Sequence, residues 1–255
     1  MTRSPSILFA GGCHVKGFPV GPEHSLARVA LRSIGHPRSE DPDVLVYLNL
    51  RAGPALEQAC RDRNTEILVL QLGHYETLPK LKRMFHLGPV SGLGSSSSSS
   101  SSPRLIREPT PDPSAHFELM VGERLVFARR LALGAAFRAV GLSHRVFNVP
   151  ADESALDVLL SGLSALPLKA ILLLSPFSCP DPLTRSSRRL AEGIFAQAAR
   201  NHGCVFVNTF ELLESCAQGE PFFDNFADAN HLSRFGHQRV GRLVGDALRH
   251  TIDAL

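Results

Sequence analysis

The sequence predicts a doubly wound α/β domain, a three-layer sandwich with helices on both faces of a parallel sheet of about five strands. Five short apolar runs show continuous rather than alternating hydrophobicity, which is typical of strands buried on both faces. Segments with helical periodicity separate these runs, and such alternation favours parallel connections. With 255 residues and 44% hydrophobic content, the chain can bury one substantial core. We therefore expect a single domain over residues 1–255.

The elements follow one another regularly along the chain. The predicted strands are short aliphatic runs at 6–10, 44–50, 66–72, 170–175 and 204–208. The predicted helices repeat apolar residues at helical spacing over 23–34, 54–63, 114–140, 152–163 and 184–201. A closing helix over 233–255 places Val240, Val244 and Leu248 on one stripe, so we expect it to pack against the sheet.

Residues 91–113 interrupt this pattern. They contain eight consecutive serines at 95–102 and then four prolines. This composition cannot bury enough apolar area to offset chain entropy, so we expect a largely disordered insertion. It is either a passive surface loop or a mobile flap, in which case the helix that begins near residue 114 closes over a site.

Composition restricts the partners that we expect. The net charge of +3 comes without a dense basic block, and Trp is absent, so a nucleic-acid surface is not indicated. No apolar run is long enough to span a bilayer, and no signal-peptide core follows Met1. The sequence therefore favours a cytoplasmic protein without a membrane partner that acts on a small molecule.

The five cysteines, at 13, 60, 179, 204 and 216, predict reduced thiols. Their number is odd and no C-x-x-C pair occurs, which argues against a disulfide framework and a zinc knuckle. Cys60 and Cys204 lie in apolar segments and are expected in the core. Cys13 differs, because it follows the first predicted strand in a glycine-rich turn, Gly11-Gly12-Cys13-His14-Val15-Lys16-Gly17.

A carboxylate and an imidazole stand three residues apart just before the closing helix, in Asp228-Ala229-Asn230-His231. This spacing is typical of an orienting acid and a base that act on a nucleophile elsewhere. In open α/β sheets ligands bind beyond the carboxyl ends of the strands, where Cys13, Gly53 and Gly73 all fall. The three loops are therefore expected to converge on one site.

These motifs resemble the SGNH hydrolases, also called GDSL-type esterases and lipases. The family's G-D-S-x-x-x-G block matches the turn at 11–17, where Gly12 replaces the Asp and Cys13 replaces the nucleophilic Ser. Gly53 matches the oxyanion glycine of the second block. The third block, G-x-N-D, corresponds to Gly73-His74-Tyr75-Glu76, with Tyr75 at the Asn position. The fourth, D-x-x-H, is present before the closing helix.

The resemblance implies a flavodoxin-like sandwich and hydrolysis of a small or carbohydrate-borne ester without a cofactor. His231 would take the proton of Cys13, and Asp228 would hold the other imidazole nitrogen. The N–H groups of Cys13 and Gly53, with Tyr75, would form the oxyanion hole. A thiol can become a standing thiolate at neutral pH, whereas the loss of the Asn donor would slow turnover.

Other interpretations remain open from the sequence. A cysteine nucleophile gives a thioester, so a thiol-dependent acyltransferase is an alternative. A catalytically silent binding domain is another, because two of the four blocks depart from the family. Cys13 would then be a small residue required by the turn, and Asp228 a helix cap. A metal held by His14, His74, Cys13 and His231 is disfavoured by their spacing. The oligomeric state is open.

Overall fold

The computed structural model describes residues 4–46, 53–72, 149–179, 182–215, 225–227 and 231–255. Five parallel strands form one sheet in the order β2-β1-β3-β4-β5. The predicted α/β fold class is thereby confirmed, and each predicted strand is present, with described ends that differ by at most one residue. Residues 47–50 of the second predicted strand lie outside the described residues. The strands are β1 Ile7–Gly11, β2 Asp43–Val46, β3 Ile67–Gln71, β4 Ala170–Leu174 and β5 Val205–Val207.

Seven α-helices lie in the described part of the chain. They are α1 Cys13–Lys16, α2 Leu26–Ser33, α3 Gly53–Asp62, α4 Val149–Ser164, α5 Pro182–Asn201, α6 Thr209–Glu214 and α7 Arg234–Asp253. No helix in these ranges is both long enough and apolar enough to cross a membrane.

Alternate residues of each strand divide the core between the two faces of the sheet. Ile7 and Phe9 of β1 pack with apolar residues of α2, α6 and α7. Leu8 and Ala10 pack on the opposite face with residues of α3, α4 and α5. Because both faces are covered, both sets of side chains are buried, which explains the continuous hydrophobic runs in the sequence.

Helix boundaries differ from the predicted ones where side chains cap them. The predicted helix 23–34 is interrupted, because Ser25 has extended ψ and its hydroxyl accepts the N–H of Arg28 at 3.3 Å, so α2 begins at Leu26. A 3₁₀ turn, Pro22–His24, precedes it. The short helices α1 and α6 were not predicted. The predicted helix 114–140 and the Ser/Pro-rich segment 91–113 lie outside the described residues.

Candidate active site

The candidate site lies at the sheet's topological switch point. β2 and β3 pair with opposite sides of β1, and this strand order is that of flavodoxin-like sheets, which bind ligands where the connections diverge. Cys13, the predicted nucleophile, comes two residues after the end of β1 and is the first residue of α1. It is partly exposed. The thiol therefore belongs to the loop that this fold uses for binding.

The turn before Cys13 is fixed by β3. The buried side chain of Gln71, at the end of β3, accepts the N–H of Gly12 through Oε1 at 3.0 Å. A Cβ on Gly11 would lie only 2.5 Å from the Gln71 carbonyl oxygen, so the two strands need glycine for this close approach. Sequence reasoning missed Gln71. Its one signal was a polar residue at the end of an apolar strand.

The end of α1 determines where Phe18 lies. Gly17 ends the helix with φ +90°, a left-handed conformation that favours glycine. Its N–H donates to the carbonyl of His14 at 3.0 Å, and the N–H of Phe18 donates to the carbonyl of Cys13 at 3.2 Å. The backbone of Phe18 is therefore hydrogen-bonded to the backbone of the predicted nucleophile.

His231 lies on a narrow antiparallel turn before α7. Its carbonyl accepts the N–H of Ala227 at 2.8 Å, and Phe226 and Leu232 form an isolated bridge beside it. Leu232 is fully buried in the core. These contacts fix the backbone on both sides of residues 228–230, and Asp228 itself lies outside the described residues.

The start of α7 is packed tightly against this turn. Ser233 caps the helix, since its hydroxyl accepts the N–H of Gly236 at 3.0 Å. A Cβ on Gly236 would lie 2.1 Å from the carbonyl oxygen of Asn225. That oxygen also accepts the N–H of Ser233 at 2.9 Å. Glycine at position 236 therefore lets the helix approach the segment that carries His231.

The ring of His231 contacts one residue of α1 and one residue just beyond its end. It lies 5.7 Å, between centroids, from the ring of His14, which directly follows Cys13. It also makes an edge contact with Phe18 at 4.8 Å. Residues more than 200 positions apart in the sequence thus meet at the β1–α1 turn. The pairing of the His231 ring with the thiol of Cys13 itself remains a prediction.

A further histidine, His237, lies under this cluster. It is fully buried, and its ring centroid lies 5.9 Å from that of His14. Its Nε2–H donates to the carbonyl of Phe18 at 3.3 Å, because a carbonyl can only accept. Nδ1 has no hydrogen-bond partner among the described residues. Sequence reasoning missed His237, because no motif around it in the sequence marks it as a buried residue.

Burial keeps His237 neutral. Desolvation is the main cause that lowers its pKa from 6.5 to about 4, and the neighbouring His24 and His231 lower it further. The bond to the Phe18 carbonyl acts in the opposite direction. A protonated ring would also place a second N–H, on Nδ1, where no described residue accepts it.

The other described thiols have different surroundings from Cys13. Burial raises the pKa of Cys60 and of Cys204 to about 11. Cys60 is buried as predicted, whereas Cys204 is only partly buried. Cys179 is fully buried. All four described cysteines are free thiols.

The remaining predicted site residues are only partly described. Gly53 is the buried first residue of α3, the helix that follows β2 at the same edge of the sheet as α1. Tyr75 lies outside the described residues, as does His74. In the described ranges, no group of three His, Cys, Asp or Glu side chains is arranged to hold a metal ion.

A shallow surface concavity of about 590 Å³ lies elsewhere, on α6 and α7. Its lining includes Glu211, Glu214 and Leu243 but neither Cys13 nor His231. Its lining contains no cysteine and no histidine, so this concavity is separate from the predicted site.

Comparison with solved structures identifies the fold. A protein from Desulfitobacterium hafniense DCB-2 assigned to the G-D-S-L lipolytic family matches with a TM-score of 0.50 and 8% identity, over 94% of this chain and 98% of that one. A protein from Parabacteroides merdae ATCC 43184 described as a GDSL-like lipase matches with a TM-score of 0.52 and 13% identity, over 94% of each chain. TesA matches with a TM-score of 0.50 and 13% identity, over 96% of this chain and 98% of its own.

Sequence comparison adds no relative, since no protein-family profile and no curated protein matches the chain. Structural similarity at 8–13% identity is evidence about the fold. The chain has the three-layer α/β fold of the GDSL-type, or SGNH, hydrolases.

Proposed function

We propose that the chain is an SGNH-type hydrolase that cleaves an ester of a small or carbohydrate-borne acyl group. Cys13 is the nucleophile, His231 the base and Asp228 the residue that orients the imidazole. The observation that carries the proposal is the contact of the His231 ring with His14, the residue after Cys13 on α1, and with Phe18, whose N–H donates to the Cys13 carbonyl. This contact lies where the fold binds ligands.

The reaction follows from the roles of these groups. His231 removes the thiol proton while the sulfur of Cys13 forms a bond to the carbonyl carbon of the ester. The tetrahedral intermediate collapses with cleavage of the carbon–oxygen bond, and His231 gives its proton to the leaving alcohol. Water, deprotonated by the same imidazole, then attacks the thioester, which releases the acid and restores the thiol.

Helix geometry supports two of the proposed oxyanion donors. Cys13 and Gly53 are the first residues of α1 and α3, and the first N–H groups of a helix have no acceptor within the helix. Both groups are therefore free of intrahelical bonds and available for the developing oxyanion. In the proposal, Tyr75 is the third oxyanion donor. Loss of one such donor typically lowers the rate by about 10² to 10³.

The test is hydrolysis of a short-chain nitrophenyl ester by the purified chain. Cys13→Ala and His231→Ala should each lower kcat/KM to the background, because each removes a group needed for acyl transfer. Cys204→Ala is the matched control, since it removes a partly buried thiol whose pKa is raised to about 11. It should retain wild-type activity.

Two results would contradict the proposal. One is ester hydrolysis by Cys13→Ala at the wild-type rate. The other is a loss of ester hydrolysis in Cys204→Ala as large as the loss in Cys13→Ala. Circular dichroism and thermal unfolding of each variant separate loss of activity from loss of the fold. Intact mass after rapid quenching provides a second readout, because an acyl group should accumulate on wild type and be absent from Cys13→Ala.

A second candidate function is acyl transfer. It is favoured by the thiol at the nucleophile position, because a thioester reacts readily with amines and other thiols. Adding a small thiol or amine acceptor to the ester assay should then form the acylated acceptor, detected by mass spectrometry, at the expense of free acid. Free acid alone at every acceptor concentration would leave hydrolysis as the function.

A further inference from the structure

Phe18 is an aromatic residue whose side chain is 54% exposed although its backbone is held firmly. Its N–H donates to the carbonyl of Cys13, and its own carbonyl accepts Nε2–H of His237. The ring makes an edge contact with His231 at 4.8 Å. Phe18, a residue type that is usually buried, is therefore about half exposed and in contact with the proposed base.

The proposed reaction defines which part of a substrate Phe18 would meet, so the inference rests on the proposed function. When the ester bond breaks, the leaving oxygen must lie within hydrogen-bond reach of a His231 ring nitrogen, about 2.6 to 3.2 Å. The carbon bound to that oxygen then lies beside the imidazole. The acyl group extends from the other side of the carbonyl carbon, away from this position.

We infer that Phe18 is a specificity-determining residue for the alcohol part of the ester, and that it favours alcohols with an aromatic or other flat apolar group. An aromatic pair contributes beyond the area that it buries. The exposed part of the Phe18 ring provides this contact next to the leaving oxygen. A methyl or ethyl alcohol is too small to use it.

The experiment compares two esters with the same acyl group, benzyl acetate and ethyl acetate. The readout is the ratio of their kcat/KM values, because a ratio removes effects on nucleophile and base that both esters share. Phe18→Ala should lower the benzyl-to-ethyl ratio about two- to tenfold. Phe18→Tyr keeps the ring and should keep the wild-type ratio.

A second ester pair tests whether the effect is confined to the alcohol side. The ratio of ethyl phenylacetate to ethyl acetate changes only the acyl group, and Phe18→Ala should leave that ratio as in wild type. Phe235→Ala is the matched control variant. Phe235 is 49% exposed at the start of α7, and its ring lies near the guanidinium of Arg239. Its removal should change neither ratio.

The results separate the inference from the proposed function. If hydrolysis depends on Cys13 but the benzyl-to-ethyl ratio of Phe18→Ala equals that of wild type, the proposed function stands and the role of Phe18 is wrong. A change in the acyl-side ratio instead would also overturn it.

If wild type hydrolyses none of the esters, the proposed function fails, and a binding measurement decides the role of Phe18. Benzyl alcohol is then titrated while the ring protons of His231 are followed by NMR. Shifts in wild type that are lost in Phe18→Ala support an aromatic-alcohol site beside the imidazole. The absence of shifts in wild type overturns it.

Discussion

Acid should destabilise this fold through His237. Well above pH 6.5 the imidazole is neutral in both the folded and the unfolded chain and contributes no pH dependence. Between pH 6.5 and about 4 the unfolded chain binds a proton that the folded chain does not, because burial lowers the folded pKa to about 4. The free energy of unfolding therefore falls as the pH falls through this range, and below it the loss is complete.

The size of the effect follows from the two pKa values. A difference of one pKa unit corresponds to about 1.36 kcal/mol. The lowering of the His237 pKa from 6.5 to about 4 thus corresponds to a loss of about 3 kcal/mol in the free energy of unfolding once the pH has fallen to about 4. This loss is a substantial part of the stability of an ordinary domain, about 5 to 15 kcal/mol.

Urea unfolding of wild type and of His237→Gln measures the loss. The glutamine amide can donate to the Phe18 carbonyl in place of Nε2–H, but it does not titrate. Between pH of about 7.5 and about 4.5, wild type should lose about 2 to 3 kcal/mol more than His237→Gln. Carboxylates titrate in both proteins, so their contribution cancels in the difference. His250→Gln, at an exposed position on the same helix, should behave like wild type.

Equal acid losses in wild type and His237→Gln would refute this reasoning. So would an NMR titration of the His237 ring in the folded chain with a midpoint near 6.5, the ordinary value for a histidine. A loss that is kept in His237→Gln but reduced in His250→Gln would mean that an exposed group on α7 carries the pH dependence instead.

Three further predictions concern single residues, two at the site and one on α5. Gly236→Ala should cost about 2 kcal/mol and lower Tm by about 4 to 8 °C, because its Cβ would lie 2.1 Å from the Asn225 carbonyl oxygen. Gly193→Ala, on α5 where a Cβ meets nothing within 4 Å, should instead stabilise by about 0.5 to 1 kcal/mol. Gln71→Met removes the acceptor of a buried N–H and should cost about 1 to 3 kcal/mol in urea unfolding, together with part of any Cys13-dependent activity.

The three central strands, β1, β3 and β4, were predictable because they are buried on both faces, and this burial produces continuous apolar runs. The edge strands β2 and β5 are more exposed, but they too are short apolar runs. The short helices α1 and α6 were not predictable, since four and six residues are too few to show a helical period. The predicted start of α2, at residue 23, was wrong, because the side-chain cap at Ser25 begins the helix later than the apolar pattern indicates. Ser25 accepts the N–H of Arg28, and the chain before it forms a 3₁₀ turn.

The candidate site was predictable only where a motif lies at the end of a predicted element. Cys13 follows a strand and His231 precedes a helix, so both could be assigned to one edge of the sheet. The supporting residues Gln71, Phe18 and His237 could not. Each acts through a contact with a residue remote in sequence, and neither its type nor its neighbours in the chain indicate that contact.

The departure of the first motif from the family pattern can be understood from these contacts. At position 12 a glycine stands where the family motif has an aspartate, so no side chain at this position can hold the turn. In this chain the N–H of Gly12 is bound by Gln71 of β3, and the Cys13 carbonyl is bound by Phe18. The backbone on both sides of the thiol is thus fixed from outside the motif. The turn that presents the Cys13 side chain is therefore held by hydrogen bonds to main-chain atoms, which do not involve the side chain at position 13.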